Sequence, residues 1–205
     1  MPSPLPLLVL TDRSQLPPGR SLVEQVGRCV DAGARWVCLR ERDLPDDRRL
    51  ALATSLAGVL RPVGGRLVVA APLPVAAPWR AVADGVHLRR SDPVPPHAPL
   101  VGRSTHDAAE LRAAAEQGCD YVTLSPFADT TSKPGYGPAL GPAGLRRALD
   151  AVALGDTKVL ALAGISPSNA AEAVAAGAHG VALMGDVMRA GDPGRVIREL
   201  LAALD

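Results

Sequence analysis

Eight short apolar runs, most of them followed by a longer amphipathic or Ala-rich segment, set what this chain can fold into. They are Leu5–Leu10, Trp36–Leu39, Leu67–Ala70, Gly85–Leu88, Leu100–Arg103, Tyr121–Leu124, Val159–Ala163 and Gly180–Met184. Their length and spacing read as strands. Helices are predicted near Leu22–Ala32, Asp46–Leu60, Ala108–Gln117, Leu145–Ala151, Pro167–Ala176 and Gly194–Leu204. The crossovers after the third and fourth runs are short and proline-rich, and no regular helix is predicted there. Three links repeat one theme: Asp31-Ala32-Gly33-Ala34, Gln117-Gly118-Cys119-Asp120 and Ala176-Gly177-Ala178-His179. Each sets a glycine just past a helical pattern, where a left-handed residue closes the helix. Eight strand–helix units in 205 residues predict an α/β chain folded as one (β/α)8 barrel domain over residues 1–205. A doubly wound open sheet is the alternative, but no G-x-G-x-x-G follows the first run.

Composition narrows the core and the partners. Hydrophobic residues make up 47% of the chain and aromatics 2%, so the core is expected to be Ala, Val and Leu, side chains that suit packed parallel strands and helices. A formal net charge of +1 and no basic run argue against a nucleic-acid partner. The apolar stretches are too short to span a membrane. The opening Met1-Pro2-Ser3-Pro4-Leu5-Pro6 lacks the charged start of a signal peptide, so a cytoplasmic protein is expected. Cys29, Cys38 and Cys119 form neither a metal motif nor a disulfide framework.

The richest chemistry follows the sixth run, in Ser125-Pro126-Phe127-Ala128-Asp129-Thr130-Thr131-Ser132-Lys133-Pro134-Gly135. Three adjacent hydroxyls and an ammonium, in a loop kinked by Pro and Gly, can grip a phosphate or diphosphate. Lys133 is one of only two lysines, the other being Lys158, among 22 basic residues. A plain surface loop is the competing reading.

In a barrel, chemistry gathers where the strands end. The second run ends Cys38-Leu39-Arg40-Glu41-Arg42, and alternation puts Cys38, Arg40 and Arg42 on one side. Two guanidiniums at a barrel mouth would clamp an anion. The competing reading pairs both in solvent with Glu41, Asp43 or Asp46. The fourth run leads to Asp92, a candidate magnesium ligand or a helix cap. The fifth leads to Ser104, a candidate phosphate donor, beside Thr105 and Asp107, either of which could cap the next helix. His87 and His106 have no partner at metal or triad spacing and read as structural. Gly164, Met184 and Gly185, at the ends of the last two runs, let backbone N–H groups approach a phosphate, although glycine there also serves mere turning.

Taken in order, Leu10-Thr11-Asp12, Leu39-Arg40-Glu41-Arg42, Ala83 to Leu88, Gly102 to His106, Asp120 to Lys133, Ala163-Gly164-Ile165-Ser166 and Gly177 to Ala182 resemble the thiamine-phosphate synthase/TenI family over nearly the whole chain. The resemblance implies a (β/α)8 barrel of the thiamine biosynthesis pathway. Its synthases are transferases that join hydroxymethylpyrimidine diphosphate to a thiazole phosphate, giving thiamine phosphate and pyrophosphate with help from Mg²⁺. Carried over by position, Arg40, Arg42, Ser104 and Lys133 would hold the diphosphate and Asp92 would ligate Mg²⁺. Thr130, Ser132 and the backbone of Gly164, Met184 and Gly185 would hold the thiazole phosphate. The partners implied are small phosphorylated substrates, with a homo-oligomer as an option.

The chain departs from the family where the metal would sit. Synthases usually carry Asn-Asp at the end of the third strand, and here the segment is Val68-Val69-Ala70-Ala71-Pro72. The usual Gly-Gln-Glu-Asp after the fourth strand is Arg89-Arg90-Ser91-Asp92, and Cys38 replaces a glutamine. One remaining carboxylate makes a poor magnesium site, and Arg89 or Arg90 is a candidate substitute for the metal's charge. The histidine expected in the TenI branch after the sixth strand is Pro126. Beside a synthase, the alternative is a family barrel that binds thiazole phosphate or thiamine phosphate without turnover. A Schiff-base aldolase is disfavoured, because Lys133 sits in a loop and Lys158 precedes its strand.

Overall fold

The computed structural model of the protein describes residues 4–72, 77–96, 98–130 and 138–205, with Ala77 and Pro78 described by backbone alone. Eight parallel strands close in sequence order: β1 (Leu7–Leu10), β2 (Trp36–Leu39), β3 (Arg66–Ala70), β4 (Gly85–Leu88), β5 (Val101–Thr105), β6 (Tyr121–Leu124), β7 (Lys158–Leu162) and β8 (Gly180–Leu183). β8 pairs back onto β1, with Val9 opposite Leu183, so no sheet edge is left and the open-sheet alternative is excluded.

The helices are α1 (Leu22–Asp31), α2 (Asp46–Leu60), α3 (Ala77–Val82), α4 (Ala108–Glu116), α5 (Gly141–Asp150), α6 (Ala170–Ala175), α7 (Gly185–Met188) and α8 (Pro193–Leu204). The crossover after β3 holds the six-residue α3, and the described part of the β4–β5 link contains no helix. α5 begins at Gly141, earlier than its periodicity suggests, because Pro142 is at home in a first helical turn. Gly33, Gly118 and Gly177 all have positive φ, as their positions after α1, α4 and α6 require.

Two apolar layers result. The outer one packs helices onto the barrel and is mostly Leu, Val and Ala. The inner one fills the barrel with Leu8, Leu10, Trp36, Cys38, Val68, Ala70, Leu100, Tyr121, Leu160 and Ala182. The few aromatics carry unusual weight here, since Trp36 and Tyr121 are fully buried with ring centroids 4.6 Å apart in an edge-to-face contact. Gly102, on β5, makes this possible. A Cβ there would fall 1.9 Å from Tyr121 Cζ, so the ring crosses β5 only because the side chain is missing. The packed floor confines chemistry to the carboxyl ends of the strands.

Candidate active site

A cavity of about 610 Å³ opens at those ends. Arg40, Arg42, Ser104, Thr130, Gly164, Met184 and Gly185 all line it, together with His87, Arg89, Arg90 and Arg189. Of the residues singled out in the sequence, Ser132 and Lys133 lie outside the described residues. Asp92 is described but does not line the cavity.

The β2 end shows how the cationic wall is built. Alternation turns Glu41 away from the mouth, where it is buried and accepts from Arg13 N at 3.1 Å and Arg13 Nη1 at 2.8 Å. Arg13 also pairs with Asp43, which holds the Asp43 carboxyl down to about 2. Two of the acids that would have neutralised Arg40 and Arg42, Glu41 and Asp43, are therefore engaged elsewhere. Arg40 N donates to Thr11 Oγ1 at 3.0 Å, and its guanidinium meets the Met184 sulfur across the mouth. No carboxylate among the described residues pairs with Arg42. Its pKa is held below the usual arginine value by burial and by Arg40, Arg89 and Arg49 nearby. Arg42 is exposed at the mouth, and a guanidinium beside other guanidiniums is stabilised by an anion. Beneath them, burial pushes the Cys38 thiol up to about 12, so Cys38 packs the floor as an inert side chain.

The β4–β5 link presents Arg89 and Arg90, and Arg103 fixes its shape. This buried arginine donates to the carbonyls of Arg89 (3.0 Å), Arg90 (2.7 Å) and Asp92 (2.9 Å) and to Gln117 Oε1 (2.9 Å). Asp92 closes the turn by accepting from Arg89 N at 2.8 Å and from its guanidinium. That bond, with the adjacent positive charge, holds the Asp92 carboxyl below the usual range. Asp107, not Thr105, caps α4, accepting from Glu110 N.

His87 is fully buried, with Nδ1 3.0 Å from the Tyr121 hydroxyl and Nε2 2.9 Å from Ser104 Oγ. Burial first, then Arg42, Arg40 and Arg103, bring its pKa to about 3, so the ring is neutral. Sequence spacing could not show these partners, because they come from β5 and β6 through the barrel register.

A second region lies across the mouth. The chain after β6 is zipped to the end of β7, with Phe127 N on Leu162 O (2.9 Å) and Ala128 N on Ala163 O (3.0 Å). Ala163 and Gly164 both have positive φ, 71° and 66°. A Cβ on Gly164 would lie 2.6 Å from the Ala128 carbonyl, and one on Gly185 would strike the Arg189 guanidinium. Both glycines, beside Thr130 at the cavity, are thus positions where neighbouring protein atoms leave no room for a side chain. Arg189 donates to Gln15 Oε1 and Asp186 Oδ1 over this region.

The described residues do not fit a magnesium ion. Ala70 and Ala71 offer no oxygen-bearing side chain, the Asp92 carboxylate is taken by Arg89, Asp12 caps a turn by accepting from Ser14 and Gln15, Asp186 faces Arg189, and Asp129 lines the cavity after β6, away from the β3 and β4 ends. No cluster of three metal-ligating side chains occurs among the described residues. No described helix is long and apolar enough to cross a membrane.

The model of the family described as thiamine monophosphate synthase matches residues 7–187. A thiamine-phosphate synthase of Methanoculleus marisnigri is 34% identical, covering 96% of this chain and 95% of its own. One from Roseiflexus castenholzii is also 34% identical, covering 94% and 85%. A solved thiamine phosphate pyrophosphorylase from Pyrococcus furiosus superposes with a TM-score of 0.81 at 26% identity, over 97% of this chain and 94% of that one. The chain belongs to the thiamine monophosphate synthase family.

Proposed function

We propose that the protein is a thiamine-phosphate synthase that couples hydroxymethylpyrimidine diphosphate to thiazole phosphate. The observation that carries this reading is the pair Arg40 and Arg42, which form no ion pair with a described carboxylate and line the same cavity as Thr130, Gly164 and Gly185. The diphosphate lies against Arg40, Arg42 and Ser104, with Lys133 assigned to it from the sequence. The thiazole phosphate is held by Thr130, Ser132 and the backbone of Gly164, Met184 and Gly185.

The reaction breaks the bond between the pyrimidine methylene and the diphosphate oxygen, whose electron pair leaves with pyrophosphate. The thiazole nitrogen then gives its lone pair to the methylene carbon, yielding thiamine phosphate. Charge accumulates on the leaving group, so fixed cations and donors lower the barrier, while alignment of two bound substrates supplies the rest. No strong base is needed, and the neutral His87 is not one. The substrates are small phosphorylated molecules, and the cytoplasm is the expected setting.

The test is pyrophosphate release from the two substrates. Release that requires both and is abolished by Lys133→Ala supports the synthase. No release, with thiazole phosphate still bound by calorimetry, rejects it in favour of a non-catalytic binder.

A further inference from the structure

We infer that the charge of the leaving pyrophosphate is met by arginine in place of a metal, through a guanidinium cluster of Arg40, Arg42 and Arg89 backed by the buried Arg49 and acting beside Ser104 and Lys133, and that no divalent ion takes part in holding it. The inference rests on the synthase reading for the identity of the anion.

Arg49 is the decisive residue. It belongs to α2, on the outside of the barrel, yet it is 2% exposed. Its guanidinium reaches the end of β3, where Nη1 donates to Pro72 O at 2.9 Å and Nη2 to Ala70 O. It lies 5.5 Å from the centre of the Trp79 ring. No carboxylate among the described residues pairs with it, and its Nε has no hydrogen-bond partner. Burying a guanidinium is costly, and Asp46 and Glu41, near that of Arg49 without forming an ion pair, offset only part of that cost. Here it sits close enough to Arg42 and to Cys38 to perturb both electrostatically.

The β3 end is therefore already supplied with positive charge from within the protein. Ala70 and Ala71 leave no side-chain oxygen to draw a metal there. On the neighbouring β4 turn the one acidic side chain, Asp92, is bonded to Arg89 and lines an adjoining hollow and not the cavity itself. Arg89 itself lines the cavity with Arg40 and Arg42. The carboxylates that line the cavity, Asp12, Asp129 and Asp186, follow β1, β6 and β8, so a divalent ion at the β3 and β4 ends would meet guanidiniums, and magnesium needs oxygen. A diphosphate meets planar donors suited to its oxygens. Positive charge fixed in place needs no reorganisation as charge develops on the leaving oxygen.

The sign of the magnesium effect on anion binding separates the two designs. In a carboxylate site Mg²⁺ bridges protein to pyrophosphate and strengthens binding. In a guanidinium site Mg²⁺ competes for the same phosphate oxygens. The experiment is calorimetric titration of inorganic pyrophosphate into the full chain, after exhaustive EDTA treatment and again in millimolar Mg²⁺. Mn²⁺ binding is followed by electron paramagnetic resonance with and without pyrophosphate. We expect binding in EDTA, affinity unchanged or weakened by Mg²⁺, and no protein-bound Mn²⁺. Arg42→Ala should weaken binding about tenfold or more, the size of one lost charge-assisted pair. Arg49→Gln should weaken it too, with Arg49→Lys retaining more affinity if Gln unsettles the fold.

A tenfold or greater tightening with Mg²⁺, protein-bound Mn²⁺, or no pyrophosphate binding in EDTA overturns the inference. Coupling of the two substrates that needs Mg²⁺ also overturns it while leaving the synthase intact. Metal-free pyrophosphate binding without coupling keeps the inference and rejects the synthase.

Discussion

Ser104 Oγ stands 2.9 Å from His87 Nε2, and this contact decides which way the serine proton points. The ring is neutral, so one nitrogen donates and the other accepts. The buried Tyr121 hydroxyl has no described acceptor apart from His87 Nδ1. Giving the phenol proton to Nδ1 satisfies it and leaves the imidazole N–H on Nε2, donating to Ser104. The serine proton is then free to donate into the cavity. The reverse tautomer strands a buried phenol proton, which costs about 1–3 kcal/mol.

His87 is therefore a positioning residue acting through Ser104. His87→Ala and Ser104→Ala should each lower kcat/KM by about 10-fold to 100-fold, the range for one charge-assisted hydrogen bond. The double variant should lose little more than either single one, because both remove the same donor. His87→Gln, whose amide can donate where Nε2 does, should recover part of the loss. Additive losses in the double variant would show that His87 supports the fold only.

Acid sensitivity follows from the same ring. Its pKa falls from 6.5 to about 3 on folding, so between those values the unfolded chain binds the extra proton. Stability from this group is present above the unfolded value and is lost as pH falls towards the folded one, by up to about 1.4 kcal/mol per pH unit. The depressed carboxyls of Asp43 and Asp92 act in the same direction at lower pH. Comparing wild type with His87→Gln isolates the histidine. Denaturant titrations from pH 7 to pH 4.5 should give a flatter stability curve for the variant.

The barrel was legible because strands buried on both faces announce themselves as short apolar runs. So were Arg40 and Arg42, since strand alternation and the position at a strand end put them at the mouth. What stayed hidden was contact between distant elements. Nothing in the sequence around Arg49 shows an α2 side chain turning inward, and a helix start rich in charge reads as solvated. His87 looked partnerless because Ser104 and Tyr121 are brought to it only by register. Arg103 and Arg189 were passed over for the same reason. Asp92 read as a metal ligand or a helix cap, whereas it closes its own turn on Arg89. The roles of Ser132 and Lys133 rest on the sequence, as both lie outside the described residues.

Gly102→Ala should be among the most damaging single-methyl changes in the chain. The new Cβ would overlap the Tyr121 ring, which is held by Trp36 on one side and His87 on another. Overpacking of this kind costs about 1–3 kcal/mol, and the ring's displacement would also break its bond to His87. A lowered melting temperature together with a fall in kcat/KM is expected. Adding Tyr121→Leu should restore stability while leaving activity low.

Ala163 and Gly164 offer a paired test with opposite signs. Both are left-handed, but only Gly164 is also crowded, by the Ala128 and Asp129 carbonyls. Gly164→Ala should destabilise by about 1–2 kcal/mol from conformation alone, with more from the backbone clash, and should weaken thiazole phosphate binding. Ala163→Gly relieves a similar strain and should be neutral to slightly stabilising once the added chain entropy is counted. Thermal melts and calorimetry with thiazole phosphate read both effects.

Arg42 should be less replaceable than its surroundings suggest. Arg40, Arg89 and Arg90 line the same cavity, so a diffuse positive field would survive its loss. A field attracts an anion, whereas a planar pair of donors also aligns it for ionisation. Arg42→Lys keeps the charge and loses the fork, and should lower kcat by about tenfold with a smaller change in KM. Arg42→Ala should lower kcat/KM by about 10-fold to 100-fold and reduce the salt sensitivity of diphosphate binding. Steady-state kinetics at two ionic strengths separate these contributions. Equal kcat for wild type and Arg42→Lys would mean that charge, not geometry, is what Arg42 supplies.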